Sequence, residues 1–228
     1  MTGQSGGRSP SDHWPIEAVI FDLDGVLVST DELHFQAWQS IAKELGVPFD
    51  REANERLRGV SRMESLELLL GPLVKTISAD QKAMLADRKN DRYRAMLDRL
   101  SPADVLPGVR GWLAAVRAAG VRIAVASSSR NAVTILERTG LLGAVDAVAD
   151  GTRILRSKPD PEVFLLAAAD VGVPPARCLV VEDADAGVAA GRSAGMRVLA
   201  IGSACGHPMA HLSAATLADI APQEALAR

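Results

Sequence analysis

Apolar residues in this chain fall into short runs separated by longer amphipathic stretches. Five runs stand out, at 18–21, 121–126, 144–149, 178–181 and 197–201. Each is too short for a helix and is bounded by polar residues or glycine, so each predicts a buried β-strand. Helical spacing fills the gaps between the later runs, at 109–119, 132–139, 161–171 and 186–194. Gly120, Gly140, Gly172 and Gly195 follow these segments, where a left-handed helix terminus is expected. Strand and helix alternate, which predicts an α/β fold with a doubly wound, mainly parallel sheet.

The stretch between the first two strands breaks the alternation. From residue 30 to about residue 100 the pattern is helical throughout. Leu66, Leu68, Leu69 and Leu70 form one apolar patch, and Ala83, Met84, Tyr93, Met96 and Leu97 mark a longer helix. Residues 101–108, Ser-Pro-Ala-Asp-Val-Leu-Pro-Gly, read as a hinge. The predicted organisation is a core domain of residues 16–29 and 102–228, interrupted by a helical cap of residues 30–101. Residues 1–15, rich in Gly and Ser, are expected to be a disordered tail.

Composition narrows the function classes. Apolar residues make up 48% and charged residues 23%, as in an ordinary globular protein. The net charge of −3 gives no electrostatic reason to expect nucleic acid or an anionic membrane as partner. No stretch approaches the roughly 18 apolar residues that a membrane helix needs. Cys178 and Cys205 make no disulfide framework, so a reducing cytoplasm is expected; a monomer acting on small molecules is the further expectation.

Chemistry concentrates where strands end. The first strand delivers Asp22 and Asp24 to Gly25; side chains two apart on a strand point the same way. Two carboxylates so placed repel unless a cation lies between them or one is protonated. The second strand ends in Ser127-Ser128-Ser129, Lys158 precedes a helix start, and the fourth ends in Glu182-Asp183. In open α/β sheets, ligands bind beyond such ends. The set suits phosphoryl transfer: carboxylates supply hard oxygen ligands to Mg²⁺, and Ser127 and Lys158 can hold a phosphoryl group. A carboxylate can then attack it.

In order, Asp22-x-Asp24, Ser127, Lys158 and Glu182-Asp183 resemble the four motifs of the haloacid dehalogenase superfamily. The resemblance implies that Asp22 is the nucleophile and Asp24 the general acid/base. It implies metal ligation by Asp22, Asp183, Glu182 and the backbone carbonyl of Asp24. Ser127 and Lys158 would hold the transferring phosphoryl group.

Cap segments narrow the resemblance. His34-Phe35-Gln36-Ala37-Trp38, Arg58-Gly59-Val60-Ser61-Arg62-Met63-Glu64-Ser65-Leu66 and Arg88-Lys89-Asn90-Asp91 are similar to the beta-phosphoglucomutases. Taken singly, each has a plainer reading as packing, a solvated charge or a helix cap. Together, and in family order, they imply interconversion of β-glucose 1-phosphate and glucose 6-phosphate. Mg²⁺ would be the cofactor, and β-glucose 1,6-bisphosphate the intermediate and activator. A substrate with two phosphates needs a second anion pocket, for which Arg62, Ser129, Arg130 and Asn131 are the candidates. The resemblance further implies that His34 and Lys89 lie near Asp24, and that Ser65 and the loop Gly59-Val60-Ser61 meet the sugar. Arg58 and Arg130 stand where the family often has lysine. A sugar-phosphate or phosphoglycolate-type phosphatase of the same fold is the alternative.

Overall fold

The computed structural model describes residues 15–227. The expected N-terminal tail, apart from Pro15, lies outside them. Six parallel strands form one sheet: β1 (Ala18–Phe21), β2 (Arg122–Ala126), β3 (Ala147–Ala149), β4 (Cys178–Glu182), β5 (Arg197–Ala200) and β6 (Leu212–Ser213). Their order is β3-β2-β1-β4-β5-β6. The chain runs outward from β1 to β3, then returns to the other side of β1 through β4. That reversal opens a crevice at the carboxyl ends of β1 and β4, where such sheets bind ligands.

Strand residues alternate between the two faces. Val19, Phe21, Val125 and Val181 pack under α5 (Val109–Ala118) and α6 (Ala132–Arg138). Ile20, Ala124, Val180 and Val198 pack under α7 (Glu162–Asp170) and α8 (Asp185–Ser193). Both faces are covered, so the strands read as continuous apolar runs with no polar alternation. The four glycines expected to close helices have φ between 69° and 74°.

One expectation needs correction and one strand is added. The third strand was expected over 144–149 but begins at Ala147, because Leu142–Ala144 forms a 3-10 turn and the Asp146 carboxylate accepts from the Ile123 N–H at 2.8 Å. The two-residue β6 has no apolar run to announce it.

Between β1 and β2 lie α1 (Asp31–Leu45), α2 (Arg51–Glu55), α3 (Arg62–Leu70) and α4 (Ala79–Leu97). They enclose their own apolar cluster of Trp38, Ile41, Leu66, Leu69, Leu70 and Leu85. Ser78 and Gln81 form a capping box that starts α4. The two chain crossings into this helical segment pair with each other. Val28 and Val105 form an antiparallel bridge, flanked by Ser29 N–H to Asp104 O at 3.2 Å and Leu106 N–H to Leu27 O at 3.0 Å.

Candidate active site

The site forms where β1, β2 and β4 end beneath the helical segment. β1 is bonded on both sides, to β2 and β4, so Asp22 leaves the sheet in a fixed direction. The residue is buried, at 7% exposure. Gly25 turns the chain at φ 85°, and a Cβ there would come within 2.0 Å of Asp183 Oδ2. Only glycine allows both the turn and that approach.

Lys158 is fully buried beneath these carboxylates. Its ammonium donates to Asp22 Oδ1 and Glu182 Oε1, each at 2.5 Å, and to Ala126 O at 3.3 Å. Burial alone pulls the ammonium toward neutrality, but the two carboxylates outweigh it and hold the pKa above its ordinary value. Glu182 is equally buried. Its other oxygen accepts from the backbone N–H groups of Asp183 and Ala184, at 2.8 and 3.0 Å. Gly187 leaves room for it, since a Cβ there would lie 1.8 Å from Glu182 Oε1.

Asp22, Glu182 and Asp183 each offer an oxygen, all within 4.8 Å of one another. Burial raises the pKa of Asp22 well above the ordinary value, with Lys158 opposing. Burial and the charge of Glu182 lift Asp183 to about 7, against Arg58. Hard oxygen donors, crowded and under-neutralised, fit a divalent cation.

Asp24 is set apart by its partner, the Thr30 hydroxyl, which donates to Asp24 Oδ1. Burial lifts its pKa to about 6, Thr30 opposing. Both states of the carboxyl are therefore within reach near neutral pH, as a general acid/base requires.

The helical segment supplies the roof. Lys89 Nζ lies 2.9 Å from His34 Nδ1 and sits over the rings of Trp38 and Tyr93, at 4.9 and 4.6 Å. Burial and then Arg62 depress Lys89 to about 7. Burial, then Lys89, holds His34 well below its ordinary value, so the imidazole is neutral. When Lys89 is charged it can only donate to Nδ1, and in that state the ring proton is on Nε2.

Several contacts tie roof to floor. Ser128 Oγ donates to Gly59 O at 3.1 Å, and Ser61 N–H to Ser157 Oγ at 3.2 Å. Arg58 donates to Asp183 from Nη2, which also lies 2.9 Å from Asp31. On the same cavity wall, Asn90 Oδ1 accepts from Arg62 Nη2 at 2.8 Å and Asn131 Nδ2 at 3.0 Å.

These groups enclose a cavity of about 520 Å³. Asp22, Asp24, Ser127 and Asp183 line its floor. Gly59, Val60, Ser61, Arg62 and Ser65 line it from the helical segment, as do His34 and Lys89. Ser129, Arg130 and Asn131 line it from the loop after β2. Lys158 and Glu182 stand behind this lining and act on it through Asp22 and the Asp183 backbone. Arg58 reaches the cavity, but its fork is engaged by Asp183 and Asp31. Thr30, Asn90 and Tyr93 also line or support the site; sequence reasoning assigned them no role. The signals were Thr30 at the end of the first crossing and Asn90 beside Lys89.

The raised carboxylates set a stability trend for the metal-free protein. Asp24, at about 6, and Asp183, at about 7, sit above the ordinary 3.8. The folded state therefore holds protons more tightly than the unfolded chain between these values. Their contribution is present at low pH and is lost as pH rises from about 4 to about 7. In chelator, Tm is expected to fall between pH 5 and 7, and a divalent cation should flatten the fall. Calorimetry across that window, with and without the cation, checks this; a chelator curve rising to pH 7 contradicts it.

Comparison with known proteins places this arrangement among relatives. Residues 16–195 match the model of the haloacid dehalogenase-like hydrolases. The chain is 45% identical over 196 residues to the beta-phosphoglucomutase of Bacillus subtilis, covering 85% of this chain and 86% of that one. It is 33% identical over 215 residues to a phosphorylated carbohydrates phosphatase of Thermotoga maritima, covering 92% and 97%. The crystal structure of beta-phosphoglucomutase from Clostridium difficile superposes with a TM-score of 0.86 at 36% identity, covering 89% of this chain and 92% of that one.

Proposed function

The chain belongs to the haloacid dehalogenase-like hydrolase family, and from that premise we propose that it is a phosphotransferase interconverting β-D-glucose 1-phosphate and D-glucose 6-phosphate. The proposed course runs through an aspartyl-phosphate at Asp22 and β-glucose 1,6-bisphosphate. The observation that carries this reading is a second cationic wall. Arg62 and Arg130 line one cavity, burial and then the charge of Arg130 lower the Arg62 pKa, and Arg62 and Asn131 share a partner. This wall shares no hydrogen bond with the Asp22–Lys158 cluster, yet lines the same cavity. A hydrolase acting on one phosphate has no use for it; a bisphosphate does.

Asp22, Asp183, Glu182 and the Asp24 carbonyl would hold Mg²⁺, which neutralises charge on the transferring group. Lys158 fixes one Asp22 oxygen and leaves the other to attack phosphorus. Ser127 lines the cavity and would hold a phosphoryl oxygen, whereas the direct grip that the resemblance implied for Lys158 gives way to a hold on Asp22, because its three donors go to Asp22, Glu182 and the Ala126 carbonyl. Asp24 delivers a proton to the departing sugar oxygen, then removes one from the incoming hydroxyl. The bisphosphate reorients and returns its other phosphate to Asp22. His34, with its proton on Nε2, offers a neutral donor near Asp24, and Gly59, Val60, Ser61 and Ser65 contact the sugar. Arg58 is assigned to Asp183 and the loop closure, with no direct grip on sugar. We also place the boundaries of the helical cap at residues 30 and 101, and the enzyme in the cytoplasm as a monomer.

The test is a coupled assay with β-glucose 1-phosphate, Mg²⁺ and catalytic glucose 1,6-bisphosphate. Glucose 6-phosphate is the expected product. Phosphate release without it would favour the phosphatase reading that the Thermotoga maritima relative suggests. Asp24→Ala is expected to slow turnover about 10²- to 10⁴-fold, the range for a lost general acid/base. Stopped-time measurement of glucose 6-phosphate checks this, and a loss below tenfold removes Asp24 from the proton relay.

A further inference from the structure

Three elements converge on one oxygen atom. Asn90, on α4, accepts through Oδ1 from Arg62 at the start of α3 and from Asn131 just before α6, at 2.8 and 3.0 Å. Guanidinium carries donors only, so the Asn90 atom facing Arg62 is the carbonyl oxygen. We infer that Asn90 is a positioning residue for the second anion pocket, aiming Arg62 and Asn131 at the phosphate remote from Asp22. The inference rests on the reading that those two residues receive that phosphate.

The number of donors allows it. Guanidinium has five N–H groups and a carboxamide two. One from each goes to Asn90, and Arg62 Nη1 lies 3.7 Å from the exposed Asp87. Both residues line the cavity and have more donors than these contacts use. A long arginine side chain would otherwise lose rotamer freedom only when substrate arrives; the bridge takes that loss in advance.

The neutrality of Asn90 also matters. Burial and then Arg130 press on the Arg62 charge, Asp87 and Asp91 oppose them without overcoming them, and the short contact at 2.8 Å is to an uncharged amide. A carboxylate at this position would make the same two hydrogen bonds but would cancel the charge that a phosphate dianion requires. Asparagine gives direction without neutralisation. The bridge also runs from roof to floor, so the donors are aligned only when the helical segment lies against the core. Its neighbour Lys89 contacts His34, so consecutive residues of α4 serve the two halves of the cavity.

The test compares Asn90→Ala, Asn90→Asp and Arg62→Ala in the Mg²⁺-loaded enzyme. KM is measured for β-glucose 1-phosphate in the mutase assay, and for acetyl phosphate, a donor with one phosphoryl group, in phosphorylation of Asp22. For Asn90→Ala the ratio of the two KM values is expected to rise about tenfold, the weight of one charge-assisted hydrogen bond. Asn90→Asp restores the acceptor and its shape, yet the ratio should rise at least as far, because its charge competes with the dianion. A purely structural residue would lower Tm in the alanine variant and be rescued by aspartate. If Arg62→Ala raises the ratio and neither Asn90 variant does, the inference falls while the second-pocket reading stands. If Arg62→Ala leaves the ratio unchanged, both fall. Wild-type behaviour of Asn90→Asp overturns the charge argument, and it can be read even where the alanine variant does not fold.

Discussion

Asp22→Ala is expected to abolish turnover, by a factor of at least about 10⁴, the scale seen when a covalent nucleophile is removed. The reason is geometric as much as chemical. β1 is held between β2 and β4, so no neighbouring carboxylate can swing into its place. Asp24 faces Thr30, and Asp183 faces Arg58. Glu182 accepts from Lys158 and two backbone N–H groups, which fix it where it is. The variant should also fail to take up a phosphoryl group from acetyl phosphate, which intact-mass spectrometry reads directly. A phosphorylated Asp22→Ala protein would move the nucleophile elsewhere.

Lys158→Met is expected to be the most destabilising single change in the site. Among the described residues, Lys158 alone bridges Asp22 and Glu182, and its ammonium has no access to water. Removing it leaves two buried carboxylates facing each other. Breaking a buried ion pair from one side costs about 3–5 kcal/mol. For a chain of this length that corresponds to about 6–20 °C in Tm. Calorimetry in chelator should show the full loss, and Mg²⁺ should return part of it by supplying the missing charge. Combining Lys158→Met with Glu182→Gln should recover stability but not activity, because the second change removes one orphaned charge. An unchanged Tm for Lys158→Met would contradict the role of this ammonium as the site's internal counter-ion.

Much of this was legible in the sequence for identifiable reasons. Strands buried on both faces write themselves as apolar runs, and β1, β2, β4 and β5 lie within one or two residues of where those runs fall. A two-residue edge strand such as β6 buries too little to leave a pattern. In the site, Asp22, Asp24, Glu182 and Asp183 could be picked out because they follow apolar runs, and Lys158 because it precedes a helix start and matches them chemically. Arg58 is the opposite case. In the sequence it stands out only as an arginine where the family often has lysine, and in the structure its guanidinium bonds Asp183, 125 residues away. Nothing local announces that pairing. Asn90 went unassigned for a related reason: its partners come from α3 and from the loop before α6. A neutral amide in a charge-rich helix carries no signal until the tertiary fold brings those donors to it.

The paired crossings at Val28 and Val105 have a consequence for how such a protein can change over time. The helical segment leaves the core and re-enters it at nearly the same point, stitched by a β-bridge and two hydrogen bonds. To the core, so long an excursion is little different from a short surface loop, since closure entropy grows only slowly with length. The helices that surround the sugar can therefore be lengthened, traded or rewritten with the sheet left intact, so long as the contacts that cross to it, Arg58 to Asp183 and Ser128 to Gly59, are kept or replaced. Divergence in what is recognised is uncoupled from conservation of what is done to it.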